Sequence, residues 1–206
     1  MELKSKQRVR IHLGTAEVLG RVTISGKRLK TGESGKMLIR LEKPLAAAMD
    51  DRFVMRSYSP MHTIGGGVIL DPNPKGNWND IRNWMKTLST DRYQRFNQFV
   101  DQFWTHPKTE VEWTKIFHCS IKDIQTFISE NMLEIRNNLV YNPEKFTFSK
   151  KVLLERINQF HNQHPYRKSI NGDIIRKELR FSESWFTMVI NDCVNENLIL
   201  PIEAGY

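Results

Sequence analysis

The chain has 206 residues, two cysteines and a formal net charge of +8, and 39% of its residues are hydrophobic. This length fits one to three small domains, and two cysteines far apart in sequence argue against a disulfide scaffold. No apolar run reaches the roughly 20 residues that a membrane-spanning helix needs, and the N-terminus lacks the apolar core of a signal peptide. We therefore expect a cytoplasmic protein, whose basic charge favours a polyanionic partner.

The first third of the chain is patterned as β-strands. Polar and apolar residues alternate from Arg8 to Leu13, so Arg8, Arg10 and His12 should share one face of a strand. Further strands are predicted at 18–24, 36–42, 52–56 and 68–70. The glycines at 65–67 are interpreted as a tight bend or bulge before the last strand. Short strands joined by glycine turns favour a small closed β-barrel over residues 1–72.

The remainder is patterned as helices. Residues 73–90 are predicted to be a linker with a short helix. The order helix, helix, helix, hairpin then recurs over 91–147 and 148–206, and Glu130-Asn131 is echoed 66 positions later by Glu196-Asn197. The second copy stops at Tyr206, so we expect its hairpin to be incomplete. This order is typical of the winged helix. The sequence therefore predicts a multidomain β + α chain in which a β-barrel precedes two winged-helix domains.

Local signals mark several boundaries within the winged-helix domains. Asn137-Asn138 is suited to the positive-φ turn of a hairpin. Ser120, with Asp123 three residues later, predicts a helix N-cap, and Ser182 predicts another. Ser149 is likewise expected to cap the first helix of the second winged-helix domain.

Motifs for catalysis or metal binding are weak. Gly32–Lys36 resembles the end of a phosphate-binding P-loop, but Lys30 stands where that loop needs glycine and Met37 where it needs Ser or Thr. His161 and His164 are too few to predict a metal site. No nucleophile–base arrangement stands out, so we expect no enzyme activity, no metal and no cofactor in this chain.

Basic charge is concentrated at the front of the chain. Residues 1–72 hold 13 Lys and Arg against 7 Asp and Glu, whereas residues 73–147 hold 10 against 9 and residues 148–206 hold 8 against 7. A phosphate-binding stripe is therefore predicted on the outward face of the barrel, formed by Arg8, Arg10, His12, Arg52 and Arg56. Charge alone does not distinguish this stripe from a solvated face or from a face docked on another domain.

The runs RVRIHLGTAEVLGRV, RFVMR and TIGGGV resemble the third domain of the selenocysteine-specific translation elongation factors, the SelB family. The ending TIGGGV is also similar to the third barrel of elongation factor Tu. The resemblance covers residues 8–72, and LLERINQFHNQHPYRKSINGDIIRKEL is similar to a winged-helix unit of the same family.

This resemblance implies a fragment of a factor that delivers selenocysteinyl-tRNA to the ribosome. The barrel would contact the tRNA, and the winged helices would connect it to the domains that bind an mRNA hairpin. GTP and magnesium would be held by a GTPase domain that we expect to be absent from this chain, along with the hairpin-reading domains. Other domains of the same factor would be further partners.

Two other functions are compatible with the pattern. One is a winged-helix DNA-binding transcription regulator with a small sensor barrel, but the third helices of both winged units are poor in Lys and Arg. The other is a purely structural connector whose barrel docks on other domains.

Overall fold

A computed structural model describes residues 2–26, 28–202 and 205–206. Strands form most of the first part of the chain, followed by one helix. In chain order they are β1 (Glu2–Lys4), β2 (Arg8–Leu13), β3 (Ala16–Ile24), β4 (Arg28–Lys30), β5 (Met37–Leu41), β6 (Arg52–Ser57), β7 (Thr63–Val68) and α1 (Trp78–Thr87).

Helices dominate the second part. In chain order the elements are α2 (Arg92–Gln102), β8 (Lys108–Thr109), α3 (Glu110–Phe117), α4 (Ile121–Glu130), β9 (Glu134–Arg136), β10 (Leu139–Tyr141), α5 (Pro143–Gln163), α6 (Gly172–Leu179) and α7 (Glu183–Asn195). The chain divides into two compact units. One comprises Met1–Thr90 with Ile116–His118, and the other comprises Asp91–Lys115 with Cys119–Tyr206. The predicted domain boundaries at 72, 90 and 147 remain predictions.

The first unit is built on an antiparallel sheet with the strand order β5-β3-β2-β6-β7, beside a separate β1-β4 pair. Within the described residues β5 and β7 are not paired with each other, so the sheet forms a half-barrel and the prediction of a closed barrel is wrong. Period-two alternation buries one side of each central strand, because successive side chains point to opposite faces. Val9 and Val22 are fully buried, and Ile11, Ile24 and Met55 pack with them. The polar residues of β2 are therefore held on the opposite face from this core.

The glycine triplet lies inside β7, so the predicted strand bounds of 68–70 are wrong. The predicted bulge agrees with the register shift in the β6–β7 pairing, where Met55 pairs with Gly65 and Arg56 with Thr63, and β7 is an edge strand of the sheet. A Cβ atom on Gly67 would lie 2.7 Å from the Phe53 ring, and one on Gly66 would lie 2.9 Å from the Phe53 carbonyl oxygen. Glycine is required here because β7 approaches Phe53 of β6 too closely for a side chain.

In the second unit, α2 to β10 form the first winged helix, with the sheet order β8-β10-β9. Asn137 and Asn138 have φ angles of 51° and 64°, which confirms the predicted hairpin turn. Ser120 and Asp123 form the predicted capping box at the start of α4. The core contains Phe96, whose ring centroid lies 5.2 Å from that of Trp113.

The second winged helix begins with α5, and here the prediction that Ser149 caps a helix is wrong. Asn142 is the N-cap of α5, and Pro143 follows it at the first helical position, where its fixed φ suits the helix. Ser149 lies in the helix interior and is fully buried. Its Oγ accepts a hydrogen bond of 3.1 Å from Nε1 of the fully buried Trp185 on α7.

The two winged helices pack into a single body. The Trp104 ring lies edge-on to Phe148 and Phe181, with centroid separations of 5.4 and 5.7 Å. The Ser182 N–H at the start of α7 donates to the Thr105 carbonyl at 2.9 Å. These contacts fix α7 against residues that follow α2.

Candidate nucleic-acid interface

Strand register determines which side chains share the outward face of the sheet. Arg10 pairs with Leu19 of β3 on one side and with Arg56 of β6 on the other. His12 pairs with Val54 in the same way, whereas Arg52 lies two residues further along β6, beyond the paired part of β2. The sheet therefore brings Arg10 and Arg56 side by side, as the alternation predicted, and leaves Arg52 at one end of the face.

Both arginines of β2, Arg8 and Arg10, form ion pairs with acidic side chains. Arg8 donates from Nε and Nη2 to the two carboxylate oxygens of Glu42 at 2.8 and 2.6 Å. These hydrogen bonds lower the pKa of Glu42 and raise that of Arg8. Arg10 forms an ion pair with Glu17, whose other oxygen lies 3.6 Å from Nε2 of His12. A phosphate would therefore compete with the carboxylates of Glu42 and Glu17 for Arg8 and Arg10.

Tyr58 lies over the same two arginines. The Arg8 guanidinium carbon is 4.5 Å from the Tyr58 ring centroid, and that of Arg10 is 5.5 Å away. Both distances are in the range of cation–π attraction. The turn that carries Tyr58 is held at its base, where the His62 N–H donates to Ser57 Oγ at 3.0 Å. Tyr58 thus adds a cation–π contact to each of the two guanidinium groups beside its carboxylate partner.

Arg52 and Arg56 differ from the β2 arginines because, within the described residues, neither forms an ion pair. Arg52 is exposed, and Nε of Arg56 is shielded from solvent without a hydrogen-bond partner, as are Nε of Arg10 and Nε2 of His12. A donor of this kind is satisfied when an acceptor such as a phosphate oxygen binds it. Because Arg56 combines such a donor with the lack of an ion pair, it is the best-prepared phosphate ligand among the five predicted residues.

Sequence reasoning missed two further arginines on the same face. Arg21 of β3 pairs with Arg8 on one side and with Arg40 of β5 on the other. Both missed arginines are exposed, and the Arg40 guanidinium carbon lies 5.1 Å from the Trp78 ring centroid. Alternation along β3 would have placed Arg21 outward, but pairing with β5 is a tertiary fact. The row of Arg8, Arg21 and Arg40 widens the basic face across three strands.

The acidic character of α7 has a structural explanation. Arg136 of β9 donates to Asp192 at 2.9 Å, and Lys150 of α5 donates to Asp192 at 3.0 Å and to Glu196 at 2.6 Å. Burial by itself would raise the pKa of Asp192, but the hydrogen bonds from Arg136 and Lys150 outweigh it and lower that pKa. These acids therefore bind neighbouring elements of the winged helices instead of facing a nucleic acid.

The described residues contain no group of three or more metal-ligating side chains that could hold an ion. Within the same residues, no helix has both the length and the apolar composition required to cross a membrane.

Comparisons with known proteins bear on the first 76 residues most directly. Residues 1–76 match the family model described as the β-barrel domain of the selenocysteine-specific elongation factor, SelB. A selenocysteine-specific elongation factor from Desulfomicrobium baculatum is 33% identical over 89 residues, which are 43% of this chain. The predicted resemblance to SelB is confirmed.

The predicted fold class is also confirmed. The crystal structure of a bacterial selenocysteine-specific elongation factor, EF-Sec, aligns over 99% of this chain with a TM-score of 0.77 and 13% identity. At that identity the likeness concerns the fold alone. The alignments cover 14% of the D. baculatum SelB and 32% of the solved EF-Sec chain, so this chain is much shorter than the SelB proteins that it matches.

Proposed function

We propose that this chain acts in selenocysteine incorporation, as a part of a selenocysteine-specific elongation factor that contacts selenocysteinyl-tRNA. Its barrel binds the sugar-phosphate backbone of the tRNA through the outward arginines, and its winged helices link the barrel to the mRNA-hairpin-binding end of the factor. The role of this part is non-catalytic. GTP and magnesium are bound by other domains, and the ribosome in the cytoplasm is the site of action.

One observation carries the proposal. In the segment that matches the SelB barrel, Arg56 lies beside Arg10 on an outward face, has no acidic partner among the described residues and has a shielded donor without an acceptor. Backbone phosphates supply both the negative charge and the acceptor oxygens that such a group lacks. Arg21, Arg40 and Arg52 extend the positive face on either side.

The winged helices favour a connecting role over DNA reading. A DNA-reading winged helix normally presents basic side chains on its third helix. At α7, Asp192 and Glu196 instead pair with Arg136 and Lys150 of the neighbouring elements. The Arg136–Asp192 pair joins the two winged helices, and the Lys150 pairs hold α7 against α5 within the second one, which suits a spacer of fixed length.

The test is a titration of the full chain with selenocysteine tRNA between about 50 and 200 mM salt, where counterion release makes affinity fall steeply. Arg56→Glu should weaken binding and reduce the slope of log affinity against log salt by about 0.9 for each phosphate that the variant no longer neutralises. Arg82→Glu is the matched control, because Arg82 is an exposed arginine of α1 and makes the same charge change outside the strands.

The proposal fails if binding does not depend on salt, or if the two variants weaken it equally. Equal weakening would mean that the RNA responds to overall charge and not to the outward face of β2 and β6. Far-ultraviolet circular dichroism should be unchanged in both variants, because neither side chain belongs to the core.

A further inference from the structure

The net charge of the second winged helix is close to zero, but its cations differ in whether they have acidic partners. Within residues 148–206, four cations have acidic partners. They are Lys150 with Asp192 and Glu196, Lys151 with Glu155, Arg156 with Glu178, and Arg176 with Asp173. Most of the acids of this segment are thus engaged by the cations of α5 and α6, which leaves them unable to neutralise other basic side chains.

The remaining cations lie together in the sequence. Among the described residues of this segment, the cations without an ion pair are Arg167, Lys168, Lys177 and Arg180, and all of them are exposed. Arg167 and Lys168 lie in the loop between α5 and α6, and the other two lie in the last turn of α6 and at its C-cap. Because α6 is about 12 Å long, Lys177 and Arg180 near its C-terminal end lie about that far along the helix from the loop at its N-terminal end.

A fully exposed aromatic ring accompanies them. Tyr166 is 99% exposed and has no ring, hydrogen-bond or ion-pair partner within the described part of the chain. The loop that carries it is anchored where it leaves α5. The Arg167 N–H donates to the His164 carbonyl at 2.9 Å, and the His164 ring lies 4.8 Å from that of Phe160, a buried core residue. Tyr166 therefore lies, exposed to solvent, in a turn that the His164 contacts hold against the helix α5.

We propose that this loop and α6 form a separate binding surface for single-stranded RNA. Tyr166 stacks on an unpaired base, and the neighbouring cations bind the phosphates on either side of it. An aromatic ring next to a basic track is the arrangement by which proteins bind single strands, because every base offers a face for stacking. A duplex hides those faces, so this surface should prefer single-stranded RNA over duplex RNA.

The test uses the full chain and a fluorescently labelled, unstructured RNA of about ten nucleotides, within the range of known single-strand site sizes. Tyr166→Ala should weaken binding about five- to a hundredfold, whereas Tyr166→Phe, which keeps the ring, should bind as the natural chain does. Replacing Arg167 and Lys168 by Ala should lower the salt slope by about 0.7 for each phosphate that is no longer neutralised.

Two controls locate the surface. Lys122→Glu alters an exposed lysine of α4, on the face with which winged helices usually read nucleic acid. It should leave single-strand binding unchanged, and an RNA duplex of the same length, the second control, should bind more weakly than the single strand. The inference is overturned if Tyr166→Ala binds as well as Tyr166→Phe, if Lys122→Glu weakens binding equally, or if an RNA duplex binds as tightly as the single strand.

Discussion

The hydrogen bond between Trp185 and Ser149 gives a prediction about how the second winged helix is held together. Both side chains are fully buried, and the Trp185 Nε1–H donates to Ser149 Oγ at 3.1 Å. Ser149→Ala would leave a buried indole N–H without an acceptor, which costs about 1–3 kcal/mol. Alanine recovers a few tenths of a kcal/mol through its helix propensity. We expect a net decrease of about 1–2 kcal/mol in the free energy of local unfolding.

Hydrogen exchange measured by mass spectrometry on peptides from α7 is the appropriate assay, since a chain of more than one unit need not unfold in a single step. The expected decrease corresponds to exchange about 5–30 times faster. Thr147→Ala is the matched control. Thr147 lies on the exposed side of the same helix, and its hydroxyl donates to the Pro143 carbonyl four residues earlier at 3.1 Å.

That control removes a hydroxyl of the same kind in the same helix but leaves no buried donor behind. It should change the free energy of local unfolding of α7, obtained from hydrogen exchange, by less than about 0.5 kcal/mol. The reasoning is refuted if the two variants change α7 exchange to the same extent, because burial of the indole N–H would then have no energetic consequence.

Two further perturbations test the packing of each unit. Gly67→Ala should destabilise the barrel in thermal unfolding, because the new Cβ would lie 2.7 Å from the Phe53 ring. Gly65→Ala is the control and should be tolerated, because a Cβ at Gly65 has no atom within 4 Å. Adding Phe53→Leu to Gly67→Ala should partly restore stability, and absence of this rescue would contradict the steric explanation. The depressed pKa of Asp192 means that its ion pairs stabilise the second unit above about pH 4 and lose that effect as pH falls through the lowered folded-state value. The stability advantage over Asp192→Asn should therefore be present at neutral pH and shrink in strong acid, and an advantage independent of pH would contradict the assignment.

Much of the fold follows from local sequence signals. Alternation over Arg8–Leu13 was enough to place Arg8, Arg10 and His12 opposite the core, because side chains in a strand alternate whatever the partner strand is. The pair Asn137-Asn138 was enough to predict its hairpin turn, because two successive positive φ angles are tolerated by few residue types other than Asn, Asp and Gly. Such features depend on neighbours within a few residues, so local sequence is sufficient to predict them.

Features that join distant residues depend on how the chain folds. The pairing of Arg8 with Glu42, 34 positions away, determines how much of the predicted basic face is free to bind phosphate, and no local pattern indicates it. Ser149 has the residue type of a helix cap, but α5 begins earlier, at Asn142, and the Ser149 hydroxyl is occupied by Trp185. A side chain's chemical role depends on which atoms surround it, and those atoms are brought together only when the chain folds.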